Sequence, residues 1–354
     1  METDIMTSIN IQKIEKSTLD KTTLNGRKFG STFTDHMFIC TFKNGAWQQA
    51  KIRPYQDLKL QPSARVFHYG QAVFEGMKAY KDISGDVWLF RPDENQKRIN
   101  KSAKRMAMPE FPADLFMEGL NTLLNIEKEW IPSADGNSLY IRPFMIATGN
   151  GIFAAPSDEY TFIIICSPSG KYYAKDVQVV IAEKYSRAAN GGVGAAKAAG
   201  NYGAQFYPTK LAIKAGYDQI VWTDSTRKYL EEAGTMNIFF RIDNKLITAP
   251  TSRRILDGIT RKSIIAIARK QGVIVEERRI KVKEIKKAVK KGTLKEMFGA
   301  GTAAVVVPIS HFSHKGVDYE LPKTENRYSE MFKKQLTDIQ YNRAEDPFGW
   351  RVKV

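Results

Sequence analysis

Apolar residues along the chain fall into short blocks whose spacing switches between the period of strands and that of helices. Residues 36–42 read as a strand, and Asn44-Gly45 supplies hairpin turn chemistry because both residues tolerate positive φ. Strand-like runs follow at 71–80 and 87–90, helical patterns at 95–106 and 113–130, and strands again at 138–147 and 161–167. This half reads as an antiparallel sheet with helices. Ser167-Pro168-Ser169-Gly170, followed by Lys171-Tyr172-Tyr173, breaks the pattern and marks a linker. Beyond it lie a strand at 177–182, a small-residue segment at 188–203 and a helix at 204–215. Strands follow at 219–223, 236–242 and 245–248, the last two joined by an Asp243-Asn244 turn. A strong helix begins near Thr260, with Ile264, Ile265, Ile267 and Ala268 in its apolar positions. A buried strand at 302–308 and a closing helix at 329–341 complete the pattern. The class is mixed α and β (α+β) in two domains. The N-terminal domain is expected over 1–167, the linker over 168–180 and the C-terminal domain over 181–354. Residues 1–30 are a polar arm, poorly ordered or draped.

Composition narrows the function classes. A chain of 354 residues suits two domains, and 43% apolar content is enough to build their cores. No apolar run approaches the roughly 18 residues of a membrane span. The start of the chain carries Glu2, Asp4, Glu15 and Asp20 and has no charged-then-apolar signal pattern. Cys40 and Cys166 both sit in apolar, strand-like stretches, as buried reduced thiols do, so a cytoplasmic compartment is expected. The net charge of +16 raises nucleic-acid binding as an alternative. Its densest run, 281–296, has Val282, Ile285 and Val289 at helical spacing, so its lysines read as a solvated outer face. Neither nucleic acid nor membrane is expected as a partner. The charge suits an enzyme that handles small anions.

Four segments offer chemistry. In Gly191–Gly203, GGVGAAKAAGNYG, Lys197 stands among glycines and alanines, where nothing bulky keeps a planar ligand from the backbone. An amine in such a desolvated pocket can attack a carbonyl, although a surface lysine in a Gly-rich loop looks the same. In LEEAGTMN, residues 230–237, Glu232 stands just before a strand, where a buried carboxylate needs a cationic partner. A protonated pyridine nitrogen is one such partner, and a surface acid or a helix cap is the plainer reading. Asp257-Gly258-Ile259-Thr260-Arg261 opens the strong helix and offers free N–H groups and the Thr260 hydroxyl to a phosphate, or an ordinary N-cap. Gly299-Ala300-Gly301-Thr302-Ala303 is a small-residue turn with further donors, and Arg91 is a cation for the same phosphate.

Taken together, FEGMKAY (74–80), LFRP (89–92), the Lys197 segment, EAGTMN (232–237), GITR (258–261), GAGTAAVVVP (299–308) and LTDIQY (336–341) resemble the branched-chain amino-acid aminotransferases. The resemblance runs from about Phe29 to the C-terminus with the family's spacing. It implies a fold type IV enzyme dependent on pyridoxal 5'-phosphate, with a small N-terminal α/β domain and a larger C-terminal pseudo-barrel domain. It further implies a cofactor between the domains and a homodimer that completes each site. Lys197 resembles the Schiff-base lysine, Tyr202 the tyrosine on the cofactor's phenolic oxygen, and Glu232 the partner of the pyridine nitrogen. Arg91, Arg187, Ile259, Thr260 and Thr302 match phosphate-binding positions, the isoleucine through its amide. Phe29, Tyr69, Phe74, Tyr140, Arg142, Thr235 and Ala303 match the substrate pocket, although such aromatics are also ordinary core residues.

The implied reaction moves the amino group between L-leucine, L-isoleucine or L-valine and 2-oxoglutarate in two half-reactions, with Lys197 as base and then acid. Branched-chain 2-oxo acids and L-glutamate are its products. Two departures stand out. Ala304 and Val307 occupy the places of a CxxC found in some relatives, so no thiol switch operates there. Ala199 replaces a glycine after the lysine, a change that is tolerated only if the backbone there does not need positive φ. D-amino-acid aminotransferases and aminodeoxychorismate lyases are rivals that typically lack the FEGMKAY and GTMN wording.

Overall fold

A computed structural model describes residues 9–20, 24–170 and 175–354. Glu2 and Asp4 of the expected arm, and Lys171-Tyr172-Tyr173 of the expected linker, lie outside these residues. Two compact units emerge. Among the described residues, the first holds 9–20, 24–170, 196–199 and 340–354, and the second holds 175–195 and 200–339. The chain-order division therefore misses two returns to the first unit, one at Lys197 and one at the C-terminus.

In the first unit, β1 (Asn10–Ile11), β2 (His36–Lys43), β3 (Ala46–Trp47) and β4 (Lys51–Pro54) precede a short helix α1 (Arg65–Tyr69). Strands β5 (Ala72–Phe74), β6 (Met77–Lys81) and β7 (Val87–Phe90) lead into helices α2 (Pro92–Arg105) and α3 (Ala113–Ile126). The long strands β8 (Ser138–Ala147) and β9 (Tyr160–Ser169) follow, and β9 reaches into the stretch expected as linker. The sheet order is β1-β4-β2-β9-β8-β6-β7, with β3 beside β2 and β5 beside β8. Asn44 and Gly45, both at positive φ, make the β2–β3 turn as expected. The described arm residues are draped. Asn10–Ile11 pair in parallel with β4, and Asp35 accepts hydrogen bonds from Ser17 and Thr18.

Strand alternation decides what each face of this sheet does. On β8, Leu139, Ile141, Met145 and Ala147 enter the core, while Tyr140 and Arg142 take the other face. Helix α3 buries Leu115, Phe116, Leu120, Leu123 and Leu124 in that core, each worth about 1.5–3 kcal/mol of transfer free energy. The 71–80 run is two strands, not one, because the chain breaks at Glu75-Gly76.

The second unit contains β10 (Val177–Ile181), α4 (Gly200–Lys214), β11 (Gln219–Thr223), β12 (Tyr229–Ala233), β13 (Met236–Ile242) and β14 (Lys245–Thr248). It continues with α5 (Ile259–Lys270), β15 (Ile274–Glu277), β16 (Ile280–Lys281), α6 (Val282–Lys290), β17 (Leu294–Gly301), β18 (Val305–His314), β19 (Val317–Glu320) and α7 (Tyr328–Gln340). The path β13-β17-β18-β10-β11-β12 closes on itself through β12–β13 pairing, which gives a pseudo-barrel. The fold is thus mixed α and β, with the pseudo-barrel that the resemblance implied. The lysine-rich run forms α6 with Val282, Ile285 and Ala288 buried, and then enters β17. The strand expected at 302–308 starts at Val305, because Thr302, Ala303 and Ala304 form the turn out of β17. A last strand, β20 (Arg351–Lys353), pairs with β7 in the first unit. No helix among the described residues is long and apolar enough to cross a membrane.

Candidate active site

Lys197 is fixed by its main chain. The Phe74 N–H donates to Lys197 O at 3.0 Å, Ala199 N–H to Ala72 O at 3.0 Å, and Val73 bridges Ala198. Lys197 N–H donates to Ser102 Oγ at 2.9 Å, and that hydroxyl donates to Arg98 O at 2.9 Å, one turn back on α2. The small residues of the segment allow this close pairing with β5. Ala199 is not at positive φ, so its extra methyl is accommodated. The lysine side chain is half-buried, with Nζ 4.7 Å from the centroid of the Phe74 ring.

The same unit gathers four of the expected substrate residues. The Arg142 guanidinium carbon lies 4.7 Å from the Phe74 ring centroid and 5.3 Å from that of Tyr140. Arg142 Nη2 donates to the Tyr140 hydroxyl at 3.1 Å, and Phe29 packs edge-on against Tyr140 at 4.6 Å. Gly76 is needed here, since a Cβ would overlap the Tyr140 hydroxyl. Tyr69 makes a separate contact in which its hydroxyl donates to Ile152 O, and the residue is 44% exposed.

Behind Phe74, Glu75 is fully buried and binds Arg98 through two hydrogen bonds, from Nε at 2.6 Å and Nη2 at 2.9 Å. Asn95 Nδ2 and the Gly76 N–H complete its donors at 2.7 and 3.0 Å. Burial pushes the Glu75 carboxyl up, but Arg98, with support from Lys197 and Asn95, holds it below the usual carboxylate range. Arg91 caps α2 in the left-handed region, at φ 52° and ψ 47°.

In the second unit, the register sets Glu232 opposite Asn237, and Asn237 opposite Ala300. Glu232 is buried, and it accepts hydrogen bonds from Asn237 Nδ2 at 3.2 Å and from the Leu256 N–H at 3.1 Å. Arg187, expected at a phosphate, lies with its Nε against Glu232 Oε2 as an ion pair off the line of a hydrogen bond. The surface-acid reading of Glu231 and Glu232 does not hold, because Glu231 is buried too and pairs with Arg254. Asn237 Nδ2 also donates to Leu256 O at 3.0 Å, which ties Glu232 and the start of α5 into one frame. Helix α5 opens after Gly258 with no side-chain cap, and a Cβ on Gly258 would overlap Asn237 Oδ1. Neither Asp257 nor Thr260 is therefore the N-cap. Ile259 and Thr260 are the first buried residues of the helix.

Thr235 is exposed in the β12–β13 turn, with its carbonyl 4.0 Å from where Gly301 would carry a Cβ. Thr302 and Ala303 follow Gly301 directly, so both turns sit at one end of the β13–β17 pair. Tyr202 is half-buried in the first turn of α4, where Asn201 Nδ2 donates to Val193 O at 2.9 Å. No group of three His, Cys, Asp or Glu residues among those described could hold a metal ion. The sequence reading missed Glu75, Arg98 and Ser102 behind the lysine, and Asn237 and Arg254 around Glu232. Only an acid inside the apolar FEGMKAY run hinted at any of them.

Within the second unit, the uncapped helix start with the Thr260 hydroxyl suits an anionic group, and the buried Glu232 with its cationic neighbour suits a polar ring atom; the first unit offers a half-buried amine at Lys197. Residues 72–312 match the family model described as amino-transferase class IV. Branched-chain-amino-acid transaminase 1 of Bacillus subtilis (strain 168) is 45% identical over 335 residues, spanning 92% of this chain and 94% of the relative. The structure of the Escherichia coli branched-chain amino acid aminotransferase superposes with a TM-score of 0.74 at 25% identity, over 90% of this chain and 98% of that one. A T.th. branched-chain amino acid aminotransferase, complexed with N-(5'-phosphopyridoxyl)-L-glutamate, gives 0.71 at 25% identity, over 88% and 97%. Similarity of this depth, along nearly its whole length, places the chain in the class IV aminotransferases as a member of the branched-chain aminotransferase family.

Proposed function

We propose that the protein transfers the amino group reversibly between L-leucine, L-isoleucine or L-valine and 2-oxoglutarate, in a ping-pong cycle on pyridoxal 5'-phosphate. The observation that carries this reading is the placement of Lys197, whose main chain is clamped while its amine stays beside Phe74. When bound, the cofactor supplies a carbonyl carbon that receives the amino group and a ring that takes up the electron pair left on the substrate's α-carbon.

The chain's own residues do the rest. Lys197 Nζ holds the cofactor between turnovers and, once released, carries the proton to and from the substrate α-carbon. Glu232 holds a proton on the ring nitrogen, and it lies in an ion pair with Arg187. The Tyr202 hydroxyl serves the phenolic oxygen. Arg91, Arg187, the Ile259 amide, Thr260 and Thr302 hold the phosphate, with the dipole of α5 in support. Phe29, Phe74 and Tyr140 provide an apolar wall for branched side chains, where each buried methylene contributes about 0.8 kcal/mol. Arg142 and Tyr140 offer polar groups to carboxylates; Tyr69, Thr235 and Ala303 complete the proposed pocket. On the same family grounds we take the enzyme to be a cytoplasmic homodimer, with a domain boundary near 168–180.

The test is an absorbance spectrum of the purified protein. A yellow band of lysine-bound cofactor should bleach with L-leucine, return with 2-oxoglutarate and ignore D-alanine. Lys197→Ala should bind the cofactor without a covalent link and lose turnover. Near-normal turnover in that variant overturns the assignment, and bleaching by D-alanine alone overturns the substrate class.

A further inference from the structure

The C-terminal segment after α7 returns to the first unit and packs against Arg91 at Trp350. Strand β20 extends the sheet beyond β7 through Arg351↔Phe90, Val352↔Leu89 and Lys353↔Trp88. One residue before it, Trp350 O accepts the Arg91 N–H at 2.8 Å, and the Arg91 guanidinium carbon lies 5.0 Å from the centroid of the Trp350 ring. The ring is itself held on both sides. Phe348 stacks on it at 4.1 Å and 8°, and Phe90 meets it edge-on at 5.6 Å and 79°. Asp346 sets the turn that brings the tryptophan in, accepting the N–H of Arg351 at 2.6 Å and of Phe348 at 3.3 Å, with Gly349 at φ 65°.

Arg91 needs such a support. Its backbone is left-handed, a region that L residues with long side chains avoid, and it precedes Pro92, which restricts it further. Glu94 lies 3.9 Å from its Nη2, and the Trp350 indole gives the guanidinium a contact of a different kind. A guanidinium over an indole face keeps its charge and its outward N–H donors while losing rotational freedom. We propose that Trp350 is a positioning residue for Arg91, so that the C-terminal segment sets the affinity for the cofactor's phosphate. This rests on Arg91 being a phosphate ligand, as proposed above.

The experiment compares binding of pyridoxal phosphate with that of pyridoxal, which lacks the phosphate, to protein stripped of cofactor. Arg91→Ala should weaken pyridoxal phosphate and leave pyridoxal unchanged. Trp350→Leu should do the same to a smaller degree, by roughly three- to thirtyfold. Trp350→Phe, which keeps an aromatic face, should recover most of the loss and stands in if the leucine variant does not fold. The double variant Trp350→Leu/Arg91→Ala should bind pyridoxal phosphate no worse than Arg91→Ala alone. If Arg91→Ala leaves the preference for the phosphorylated form intact, the phosphate role of Arg91 falls. If Arg91→Ala lowers that preference but Trp350→Leu does not, or if Trp350→Leu weakens both ligands equally, the inference falls alone.

Discussion

Replacing Glu75 by Gln tests the buried ion pair that lies behind Phe74 and Lys197. Glu75 is fully buried, and Arg98 is 8% exposed, so the substitution leaves a guanidinium inside the unit without its counter-charge. Breaking a buried pair in this way costs about 3–5 kcal/mol. At about 2–4 °C per kcal/mol for a unit of this size, the melting temperature should fall by roughly 6–20 °C. The pH dependence adds a second signature. Since Arg98 holds the folded-state pKa of Glu75 below its usual value, the pair's stabilisation is present above the unfolded value of about 4.3. It is lost as pH falls through the depressed folded value, so the wild type should show a steep acid limb below about pH 4 that Glu75→Gln flattens. Thermal unfolding followed by circular dichroism between about pH 3 and pH 8 reads both effects. The double variant Glu75→Gln/Arg98→Met removes the stranded charge and should recover much of the loss. A Glu75→Gln protein within about 1 kcal/mol of wild type at pH 7, with the same acid limb, would refute the reasoning.

Two other substitutions probe the frame around Glu232. Gly258→Ala places a methyl on Asn237 Oδ1 and should push that side chain off Glu232, since the glycine's φ of −70° is itself ordinary. A stability loss of about 1–3 kcal/mol and at least about a tenfold drop in kcat with L-leucine are expected; an unchanged kcat would show that Asn237 does not steady the carboxylate. Arg254→Met strands Glu231, whose pKa burial already raises while Arg254 opposes the rise. A raised carboxyl binds its proton more tightly in the folded state. The variant's deficit in melting temperature should therefore narrow as pH falls from about 8 to about 5, and a deficit that widens would reverse the sign of the argument.

The fold was legible wherever a single period ran uninterrupted. Strands β7, β8, β11, β13 and β14 stand where the apolar alternation placed them, because each lies between clear turn residues. Strand β12 was invisible for a physical reason: two adjacent acids, Glu231 and Glu232, look like a surface patch until Arg254 and Arg187 supply their charges from elsewhere in the chain. The break at Glu75-Gly76 was hidden in the same way, because its cause is a partner on α2. As candidates, Lys197 in the first unit and Glu232 and the α5 start in the second stand out in local wording, since small residues and a helix opening are sequence-local features. Ser102, Asn237 and Trp350 could not, because each acts through a residue brought to it only by strand pairing or helix packing.

That dependence on pairing also limits how the pocket can vary. Tyr140 and Arg142 share β8 with Leu139, Ile141 and Met145, and the strand's period of two is all that separates the proposed binding set from the core set. A slip of one residue would bury Arg142 and expose Ile141, so register must be held along the whole strand. The β8–β9 ladder does this with pairs running unbroken from Ser138↔Ser169 to Ala147↔Tyr160, while α3 covers the core face with its leucines. The opposite face is then free to carry an arginine and a tyrosine hydroxyl. If Phe29 and Tyr140 line the pocket as proposed, substrate preference can thus change through them while the core stays intact. A cavity under α3, as in Leu120→Ala, acts instead on stability, by about 2–5 kcal/mol.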